Sequence, residues 1–534
     1  MKAHWLALLP CLLALAACDG GRNSLSGQIH YQDWLYDQSG LTRRQAKPVR
    51  FALVDLLDAD GQRLASTHTD AAGRYHFQAD IPLRFSLRVL ARQDGSTAPA
   101  VTVQDLRGDV YAVTKNVARF EPVIDIELPA EASAAFNLFD VYQAAGAYFS
   151  ELSGRAPQPL AVFWQPGNGD GTYYCSAFAN PGCVGGAGIY VLSERNGDGS
   201  LYDDRDEYDD DVLLHEYGHF LFARYSRDDS PGGCHSLEAN DQDLTLAWSE
   251  GWGNFFSAAV KSWMRARGDS ALSSSLPASH YIDTVQSATG SGIGISFDFA
   301  DPERYLAQAA DRYFYAGSEV AVANVLWRLF EQQNSLAGLW RIFTAPAWLA
   351  RSAPVNIEAL WDGLLDPGLG HGYSKAGVLP IFQARGLDYT EDEYEPDDRA
   401  SSVRLLQLQR VEAHTLYRDA GADRDVFAIP VSANVRYRVA TGQLRNGADT
   451  QMWLYENPDL ARVIASNDNL ANDNMLVDER CGRRLATTDA LASAIEFTAF
   501  QDGLYYIAVA TSAEPFGFTG RYGGYEISLT QLGP

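Results

Sequence analysis

The segment His-Glu-Tyr-Gly-His at residues 215–219 constrains the fold of this 534-residue chain more than any other. Side chains four positions apart lie on one face of an α-helix, so His215 and His219 can bind one metal ion if the segment is helical. The aspartates at 209–211 favour a helix here, because they bring negative charge to its N-terminus. The spacing therefore predicts a buried helix with two zinc ligands, beside which Glu216 could accept the proton of a metal-bound water. A motif this short also arises by chance, so a further ligand is needed.

A candidate third ligand, Glu250, lies in the segment Ala-Trp-Ser-Glu-Gly-Trp-Gly-Asn-Phe-Phe at residues 247–256. The segment is typical of a second buried helix, in which a carboxylate is costly to bury without a cationic partner. That partner is zinc in one interpretation and a buried arginine in the other. Asn254, on the same helical face, could hydrogen-bond the far nitrogen of a ligand histidine and fix its tautomer. Two histidines, one glutamate and an open water position are typical of a catalytic zinc site.

The two segments together resemble the gluzincin metallopeptidases, above all the fungalysin-like group related to thermolysin. A further similarity lies at residues 313–327, Tyr-Phe-Tyr-Ala-Gly-Ser-Glu-Val-Ala-Val-Ala-Asn-Val-Leu-Trp. The resemblance covers residues 131–385 and implies a thermolysin-like zincin domain. It also implies one catalytic Zn²⁺, bound by the two motif histidines and Glu250, with Glu216 as the general base.

This chain departs from those relatives in two places. Their helix corresponding to residues 313–327 begins with a histidine that stabilises the tetrahedral intermediate, whereas this chain has Tyr315 at the nearest position. A tyrosine hydroxyl can serve as an oxyanion donor, and His280 is the alternative donor. A core aromatic and a loop histidine are the plainer interpretations of these two residues. The interval between the metal motifs is also long, and Ser-Pro-Gly-Gly-Cys at 230–234 predicts an inserted loop there.

The start of the chain has the layout of an export signal. An apolar run too short to span a bilayer is followed by Leu-Ala-Ala-Cys at residues 15–18. This ending resembles the bacterial lipoprotein box, which implies a signal peptide at 1–18, lipidation of Cys18 and a tether at 19–24. An ordinary cleavage site with a bystander cysteine is the alternative. We therefore expect an extracytoplasmic protein of the bacterial cell envelope, anchored by lipid to a membrane that the sequence does not identify.

The cysteines agree with export, because an oxidising compartment favours disulfides and two of the six cysteines lie in the signal segment. Cys175 and Cys183 bracket a short Asn-Pro-Gly turn and form the obvious pair. Elimination then pairs Cys234 with Cys481, which would tie the inserted loop to the C-terminal region.

The charge of the chain restricts its partners. Acidic residues outnumber basic ones by 68 to 42, which gives a formal net charge of −26. Such a surface repels nucleic acids and anionic lipid headgroups. We therefore expect protein or peptide substrates, contact with a membrane only through the lipid anchor, and a monomer.

Two regions of alternating apolar and polar residues flank the catalytic segment. Residues 25–130 resemble transthyretin-like or carboxypeptidase-regulatory sandwiches and carry no visible chemistry. Residues 401–534 follow an acidic linker at 386–400. The Glu-Pro-Asp-Asp sequence at 395–398 and the late Gly-Leu-Tyr-Tyr-Ile-Ala-Val strand resemble the bacterial pre-peptidase C-terminal domain. Its role could be assistance in folding, or binding of a substrate or surface.

The segment just before the metal helix carries two further predictions. A strand at residues 188–192 is expected to be the sheet edge along which an extended peptide pairs its backbone, as in thermolysin-like folds. The acidic stretch that follows could bind Ca²⁺ through Asn196, Asp198, Asp203 and Asp204. A solvated acidic loop is the other explanation of the same residues.

The sequence thus predicts a multidomain α+β protein, in which a thermolysin-like zincin catalytic domain is flanked by two β-sandwich domains. The expected function is zinc-dependent endopeptidase activity on extracytoplasmic proteins. A catalytically silent zincin-fold adhesin or binding lipoprotein is the alternative, although the intact Glu216 argues against it. An exopeptidase is a third hypothesis, for which no motif that captures a peptide terminus is evident.

Overall fold

The computed structural model describes residues 23–176, 183–193, 203–240, 242–287, 290–303, 316–370, 372–419, 422–470, 489–512 and 519–533. Over these residues the chain is multidomain, with six β-sheets and eight α-helices in a mixed α+β architecture. Five residues singled out by the sequence lie outside the described ranges, and the predictions that depend on them remain predictions: Cys18, Asn196, Asp198, Tyr315 and Cys481.

The N-terminal region is made of β-strands whose side chains alternate between interior and surface. The longest strand, β1 (Asn23–Asp37), buries Leu25, Ile29 and Tyr31. The other strands of this region are β2 (Gly40–Pro48), β3 (Leu53–Leu57), β4 (Arg63–His68), β5 (Arg74–Ala79), β6 (Phe85–Leu90), β7 (Arg92–Gln93), β8 (Val101–Gln104), β9 (Ala112–Val117) and β10 (Ile126–Glu127). One sheet has the order β10-β1-β2, with β5 also paired to β1, and a second has the order β4-β3-β6-β9.

The remaining two strands of this region, β7 and β8, belong to a third sheet. This sheet continues with β11 (Leu160–Trp164), β12 (Tyr173–Cys175) and β13 (Gly188–Val191), in the order β12-β13-β11-β8-β7. β8 and β11 pair in parallel, with Leu160 opposite Val101. Residues far apart in the sequence therefore form one continuous sheet.

The prediction that residues 188–192 form the sheet edge is wrong. β13 lies between β11 and β12, and all four of its residues are buried, as is typical of an interior strand. Among the described strands, the last one on this side is β12, which runs antiparallel to β13. Cys175 and Cys183 are joined by a disulfide, as their spacing predicts, and it links the end of β12 to the chain leading into β13.

Eight helices follow one another through the middle of the chain. They are α1 (Ala130–Ser153), α2 (Asp210–Tyr225), α3 (Leu244–Arg267), α4 (Glu319–Gln333), α5 (Ala337–Phe343), α6 (Pro346–Leu349), α7 (Ile357–Leu365) and α8 (Lys375–Gln383). α3 begins where the side chain of Asp243 accepts hydrogen bonds from the backbone N–H groups of Thr245 and Leu246, and it ends at Gly268 in the left-handed conformation.

Glycines let α2 and α3 approach closely. A Cβ atom on Gly218 would lie 3.2 Å from the Cα of Gly253, so neither helix could carry a larger residue at the crossing without moving apart. Trp252 closes the same contact, because its indole N–H donates to the carbonyl of Gly218 at 2.9 Å. Gly251 faces the other way, where a Cβ would lie 2.5 Å from Val322 of α4. Small residues on α3 thus bring three helices together.

A short antiparallel sheet covers the N-terminus of α2. It consists of β14 (Asp203–Asp204), β15 (His280–Ser287) and β16 (Gly290–Asp298). The backbone N–H of Thr284 donates to Asp209 at 3.0 Å, and that of Ile282 donates to Asp211 at 3.3 Å. Asp211 also forms a buried ion pair with Lys261 of α3. The first aspartates of α2 are therefore buried anchors for the hairpin, in addition to the helix-terminal charges that the sequence predicts.

The C-terminal region forms two facing sheets. Its strands are β17 (Arg404–Leu405), β18 (Val411–Thr415), β19 (Arg424–Val431), β20 (Arg436–Arg445), β21 (Thr450–Tyr455), β22 (Val463–Asn467), β23 (Ala494–Thr498), β24 (Gly503–Thr511) and β25 (Gly524–Gly533). The sheet orders are β17-β19-β24-β21-β22 and β18-β25-β20-β23. The region contacts α7, because the buried carboxylate of Glu358 accepts hydrogen bonds from the backbone of Arg521 and Tyr522, both at 2.8 Å. In the part of the chain that the structure describes, no helix has the length and apolarity needed to cross a bilayer.

Candidate metal centre

The crossing of α2 and α3 brings three side chains together. His215 Nε2 lies 2.9 Å from His219 Nε2 and 3.1 Å from Glu250 Oε2, and the last two atoms are 3.4 Å apart. Nitrogen and oxygen ligands lie about 2.1 Å from a tetrahedral zinc ion, which separates neighbouring ligand atoms by about 3.4 Å. Two nitrogens and one oxygen at these distances fit the ligand set of one zinc ion. The chain therefore has the residues to hold the metal that the motif predicts.

The orientation of the His215 ring is fixed by a hydrogen bond at Nδ1, the nitrogen that faces away from His219 and Glu250. Its Nδ1 donates to Asn254 Oδ1 at 2.9 Å, which leaves Nε2 free to accept a metal ion. Asn254 lies one turn after Glu250 on α3, as the sequence predicts for a residue that sets the tautomer. The backbone of Gly253 also packs against the His215 ring, because a Cβ atom at that position would lie only 2.8 Å from the ring.

His219 is oriented by two residues that sequence reasoning missed. Its Nδ1 lies 3.2 Å from Ser249 Oγ, and that hydroxyl donates to Asp228 Oδ2 at 2.8 Å. Because the hydroxyl proton is directed to Asp228, the Ser249 oxygen accepts from His219 and again frees Nε2. Burial lowers the pKa of His219, but the opposite effect of Glu250, Glu216 and Asp228 is larger, and the net pKa is raised to about 9. The position of Ser249 directly before the candidate ligand Glu250 was the available signal.

Glu216 lies buried beside this group. Its side chain is 7% exposed and faces the same cavity as the two histidines. Burial raises the pKa of the Glu216 carboxyl, His219 and His215 lower it, and the net direction is upward. A carboxylate with a raised pKa is suited to accept a proton and then return it.

His235 is a further imidazole that the sequence analysis did not single out. Its Nδ1 lies 2.9 Å from Glu319 Oε2, and its Nε2 lies 3.6 Å from Glu250 Oε2. Burial lowers the pKa of His235, but the opposite effect of Glu319 and Glu250 is larger, and the net pKa is raised to about 10. The ring therefore carries a positive charge. It follows directly after the stretch predicted as an inserted loop, and only the fold brings it to Glu319 at the start of α4.

The two oxyanion donors considered from the sequence have different outcomes. Tyr315 lies outside the described residues. His280 lies at the start of β15, where its Nδ1 faces Asp298 at 3.6 Å, and it is not among the described residues that line the cleft. Among the described residues, His235 lines the cleft and His280, the alternative donor, does not.

The candidate metal ligands line a cleft of about 1020 Å³. β12 forms one side through Tyr173 and Tyr174, and residues 230–233 and 235–237 form another. The face of the β15–β16 hairpin that carries Tyr281 completes it. A cleft bordered by the last strand of a sheet can receive an extended chain.

Two other groups of acidic residues could hold a cation. Of the predicted calcium ligands, Asp203 and Asp204 form β14, and Asp204 groups with Asp206 and Asp283, whose carboxylate oxygens lie within 4.8 Å of one another. A second group in the C-terminal region consists of Asp397, His414 and Asp425, all buried, with overlapping contributions from Glu395 and Asp423.

Comparisons with known proteins give partial structural likenesses. No family model and no curated protein matches the chain. The pre-peptidase C-terminal domain of a collagenase from Bacillus anthracis is 19% identical, covering 25% of this chain and 97% of that domain, with a TM-score of 0.17. A periplasmic inhibitor of g-type lysozyme from Aeromonas hydrophila is 13% identical over 24% of this chain and 94% of its own, with a TM-score of 0.15. A surface-associated copper-binding protein of Methylomicrobium album BG8 is 7% identical over 24% and 96%, with a TM-score of 0.16.

Proposed function

We propose that this chain is a zinc-dependent endopeptidase with a thermolysin-like catalytic domain. The observation that carries the proposal is the convergence of His215 Nε2, His219 Nε2 and Glu250 Oε2 within 2.9–3.4 Å, with the Glu216 carboxyl buried beside them. Three protein ligands and an open cleft are typical of catalytic rather than structural zinc.

The residues of the chain divide the chemistry among them. Zinc held there would supply a Lewis acid that activates a water molecule and polarises the scissile carbonyl. Glu216 would take a proton from the attacking water and pass it to the leaving amine nitrogen, which its raised pKa favours. His235, charged and held by Glu319, would donate to the oxyanion that develops on the carbonyl oxygen.

The edge strand supports an extended peptide as substrate. β12 (Tyr173–Cys175) borders the cleft and, in the part of the chain that the structure describes, is the last strand of its sheet on that side. A peptide added there would form backbone hydrogen bonds without needing a particular side chain. The role that the sequence analysis gave to residues 188–192 therefore passes to β12 in this proposal.

The remaining expectations complete the proposal. We infer that the protein is exported, is anchored by lipid at Cys18, and acts as a monomer on extracytoplasmic proteins or peptides. The C-terminal region would serve as a pre-peptidase-type β-sandwich. The export signal and the acidic surface of the chain support these inferences.

Cleavage of unfolded casein tests the proposed activity. The zinc-loaded protein starting after Cys18 is compared with its Glu216→Gln variant, each with and without 1,10-phenanthroline. We expect cleavage that the chelator abolishes, and loss of nearly all turnover in Glu216→Gln with stoichiometric zinc retained. Glu238→Gln, the same change at an exposed position near the cleft, serves as the control and should cleave normally. A folded, zinc-loaded protein that cleaves no protein or peptide would favour the silent binding lipoprotein instead.

A further inference from the structure

The strands of the N-terminal region end together on one side. Asn23, the first residue of β1, pairs with Ala79, the last residue of β5. Residues 80–84 then lead directly to β6, whose first residue, Phe85, pairs with Val117 at the end of β9. The strand with which the described chain begins therefore starts at the same end of the region as the connection from β5 to β6.

Two more segments belong to this end. The turn that follows β3 reaches it, because Asp58 and Leu64 line one shallow depression together with Asn23. The chain after β9 also stays there, since the ring centroids of Phe120 and Phe85 lie 6.4 Å apart. We call the surface formed by these segments the strand-end surface; it comprises Asn23 and residues 58–64, 79–85 and 118–123.

The exposed large apolar side chains of the N-terminal region all lie on this surface. Among residues 23–129, which the structure describes without a gap, they are Leu83, Val123 and Leu64, with 76%, 58% and 44% of each residue exposed. A single exposed leucine is ordinary on a protein surface. Three such side chains at one end of a region, with none on the rest of its surface, instead indicate a contact with an apolar partner.

Exposed arginines flank these apolar side chains. Arg63 directly precedes Leu64, Arg84 directly follows Leu83, and Arg119 directly precedes Phe120. An arginine beside an apolar side chain can keep its guanidinium group at the level of lipid phosphates while its neighbour enters the apolar layer. Four acidic residues lie among the three arginines, so the strand-end surface is nearly neutral although the whole chain has a formal charge of −26: Asp58, Asp60, Asp80 and Glu121.

The proposed lipid anchor restrains this end of the molecule. β1 begins at Asn23, so only residues 19–22 separate the strand from Cys18. An extended chain advances by about 3.5 Å per residue, which keeps Asn23 within about 17 Å of Cys18. A lipid on Cys18 therefore holds the strand-end surface close to the membrane.

The other ends of the same strands lead into the rest of the molecule. β6 ends at Leu90 and is followed by β7 and β8, which belong to the sheet that β11 continues. A strand of six residues such as β6 spans about 20 Å, so the strand-end surface is well separated from that sheet. A bilayer at the strand-end surface would thus lie on the side of the N-terminal region opposite the shared sheet.

We propose that the strand-end surface lies on the phospholipid bilayer that holds the anchor, with Leu64, Leu83 and Val123 between the headgroups and the acyl chains. The inference rests on the lipid anchor in the proposed function. It adds a contact made by the folded protein to an attachment that the sequence predicts through lipid alone. Apolar side chains beside basic ones are typical of surfaces that lie in the membrane interface.

A supplied acyl chain tests this contact independently of Cys18. The chain starting after Cys18 carries one myristoyl group on an added N-terminal glycine, because a single such group binds membranes reversibly, with a constant of about 10⁴ M⁻¹. Its affinity for phosphatidylcholine vesicles is measured by sedimentation. We expect the double variant Leu64→Ser/Leu83→Ser to bind at least about tenfold more weakly, because two leucines no longer enter the lipid.

A matched double variant is the control for this measurement. Leu405→Ser/Leu408→Ser removes two leucines of the C-terminal region that are 56% and 43% exposed, and it should bind like the wild type. Equal affinity of the wild type and Leu64→Ser/Leu83→Ser overturns the proposal. Mass spectrometry of Cys18 in protein isolated from membranes tests the anchor by itself, so failure of the anchor is distinguished from failure of the contact.

Hydrogen exchange locates the contact. In the vesicle-bound protein, the backbone amides of residues 58–64, 80–84 and 118–123 should exchange more slowly than in the free protein. Those of residues 69–73, in the turn at the other end of β4 and β5, should be unchanged. Unchanged exchange across the strand-end surface overturns the proposal. A dimer in analytical ultracentrifugation that Leu64→Ser/Leu83→Ser abolishes would identify a second copy of the chain as the partner and would also overturn it.

Discussion

At the residue scale, the decisive feature is that three atoms able to accept a hydrogen bond or a metal ion face one another. Asn254 Oδ1 accepts from His215 Nδ1, so His215 Nε2 carries only a lone pair when the ring is neutral. That lone pair faces His219 Nε2 and Glu250 Oε2, at 2.9 and 3.1 Å. His219 Nδ1 is likewise directed to Ser249 Oγ, so with both rings neutral the three atoms that face one another are all acceptors. A divalent cation satisfies all three at once, which is why the group fits a metal site better than a salt bridge.

His235→Gln tests the proposed role of His235 as the oxyanion donor. Glutamine keeps a polar side chain but removes the charge that Glu319 holds beside the cleft. We expect kcat for casein peptides to fall by about 100-fold, the usual cost of losing one oxyanion donor, with zinc still stoichiometric. Steady-state kinetics and metal analysis measure the two quantities. His76→Gln, at an exposed position on β5, is the control. Unchanged kcat in His235→Gln would remove this residue from the mechanism.

The residues that could be predicted are those linked by helical spacing. His215 and His219 are four apart on α2, and Glu250 and Asn254 are four apart on α3, so each pair shares a face whatever the rest of the fold does. Asp228 and His235 reach the group through contacts between separate segments, which no local pattern encodes, whereas Ser249 directly precedes Glu250 on α3. Asp206 and Asp283 are likewise joined only by the packing of β15 near β14.

At the scale of elements, the metal centre depends on how closely two helices cross. Gly218 on α2 and Gly253 on α3 leave no room for a Cβ between the helices, and Trp252 hydrogen-bonds across the same contact. The hairpin then fixes the start of α2 through Asp209 and Asp211. The glycines of the second motif are therefore packing requirements, and they determine the separation of the histidines from Glu250.

Gly253→Ala tests the crossing. The added Cβ would lie 2.8 Å from the His215 ring, so the ring or the helix must move. We expect a loss of about 1–3 kcal/mol in the free energy of unfolding, measured in urea. We also expect zinc to bind at least about tenfold more weakly, measured by competition with a chromophoric chelator. Gly169→Ala adds the same atom where nothing lies within 4 Å, and should change neither quantity. Wild-type zinc affinity in Gly253→Ala would contradict this account.

The sequence predicted that individual strands and helices exist better than it predicted which elements lie next to them. The strand near residues 188–192 exists, but its place in the sheet depends on β12, a strand of three residues that is too short for a pattern to reveal. The aspartates at 209–211 were correctly expected at a helix start. Their bonds to β15 could not be foreseen, because the hairpin lies more than 60 residues away in the chain.

At the scale of the whole molecule, acidic groups are buried as well as exposed. The chain carries a formal charge of −26, and several carboxyls lie in its interior. Burial raises the pKa of Asp210, Asp283 and Asp397 to about 7, and raises that of Asp423 to about 8. These groups are spread from α2 to the C-terminal region, so their ionisation affects the chain as a whole.

The stability of the metal-free protein should therefore fall as pH rises. Each of these carboxyls holds its proton more tightly when folded than in the unfolded chain, where the pKa of aspartate is about 3.9. Their contribution is complete below about pH 4 and is lost as pH rises through 7 to 8. In EDTA at constant ionic strength, we expect the melting temperature to drop by about 5 °C or more between pH 6 and 8.5. Asp423→Asn should reduce the drop, and a flat or rising profile would contradict the assignment.

The mixed α+β, multidomain organisation was predicted correctly from the alternation of strand-rich and helical segments. The way in which these regions join was not, because it depends on pairs such as Arg50 with Asp140, whose Nε and Oδ1 lie 2.5 Å apart in the interior. Charged residues of this kind look like ordinary surface residues in the sequence. Only the packing of α1 against the N-terminal strands shows that they are buried.

The parallel pairing of β8 with β11 has a consequence for how this chain could have been assembled during evolution. Recombination at the helix that begins near residue 130 would separate β7 and β8 from β11, which would then present an unpaired edge to other chains. The N-terminal region is thus not an interchangeable module in the manner of a domain joined by a free linker. Its strands β7 and β8 complete the sheet that β11, β12 and β13 continue.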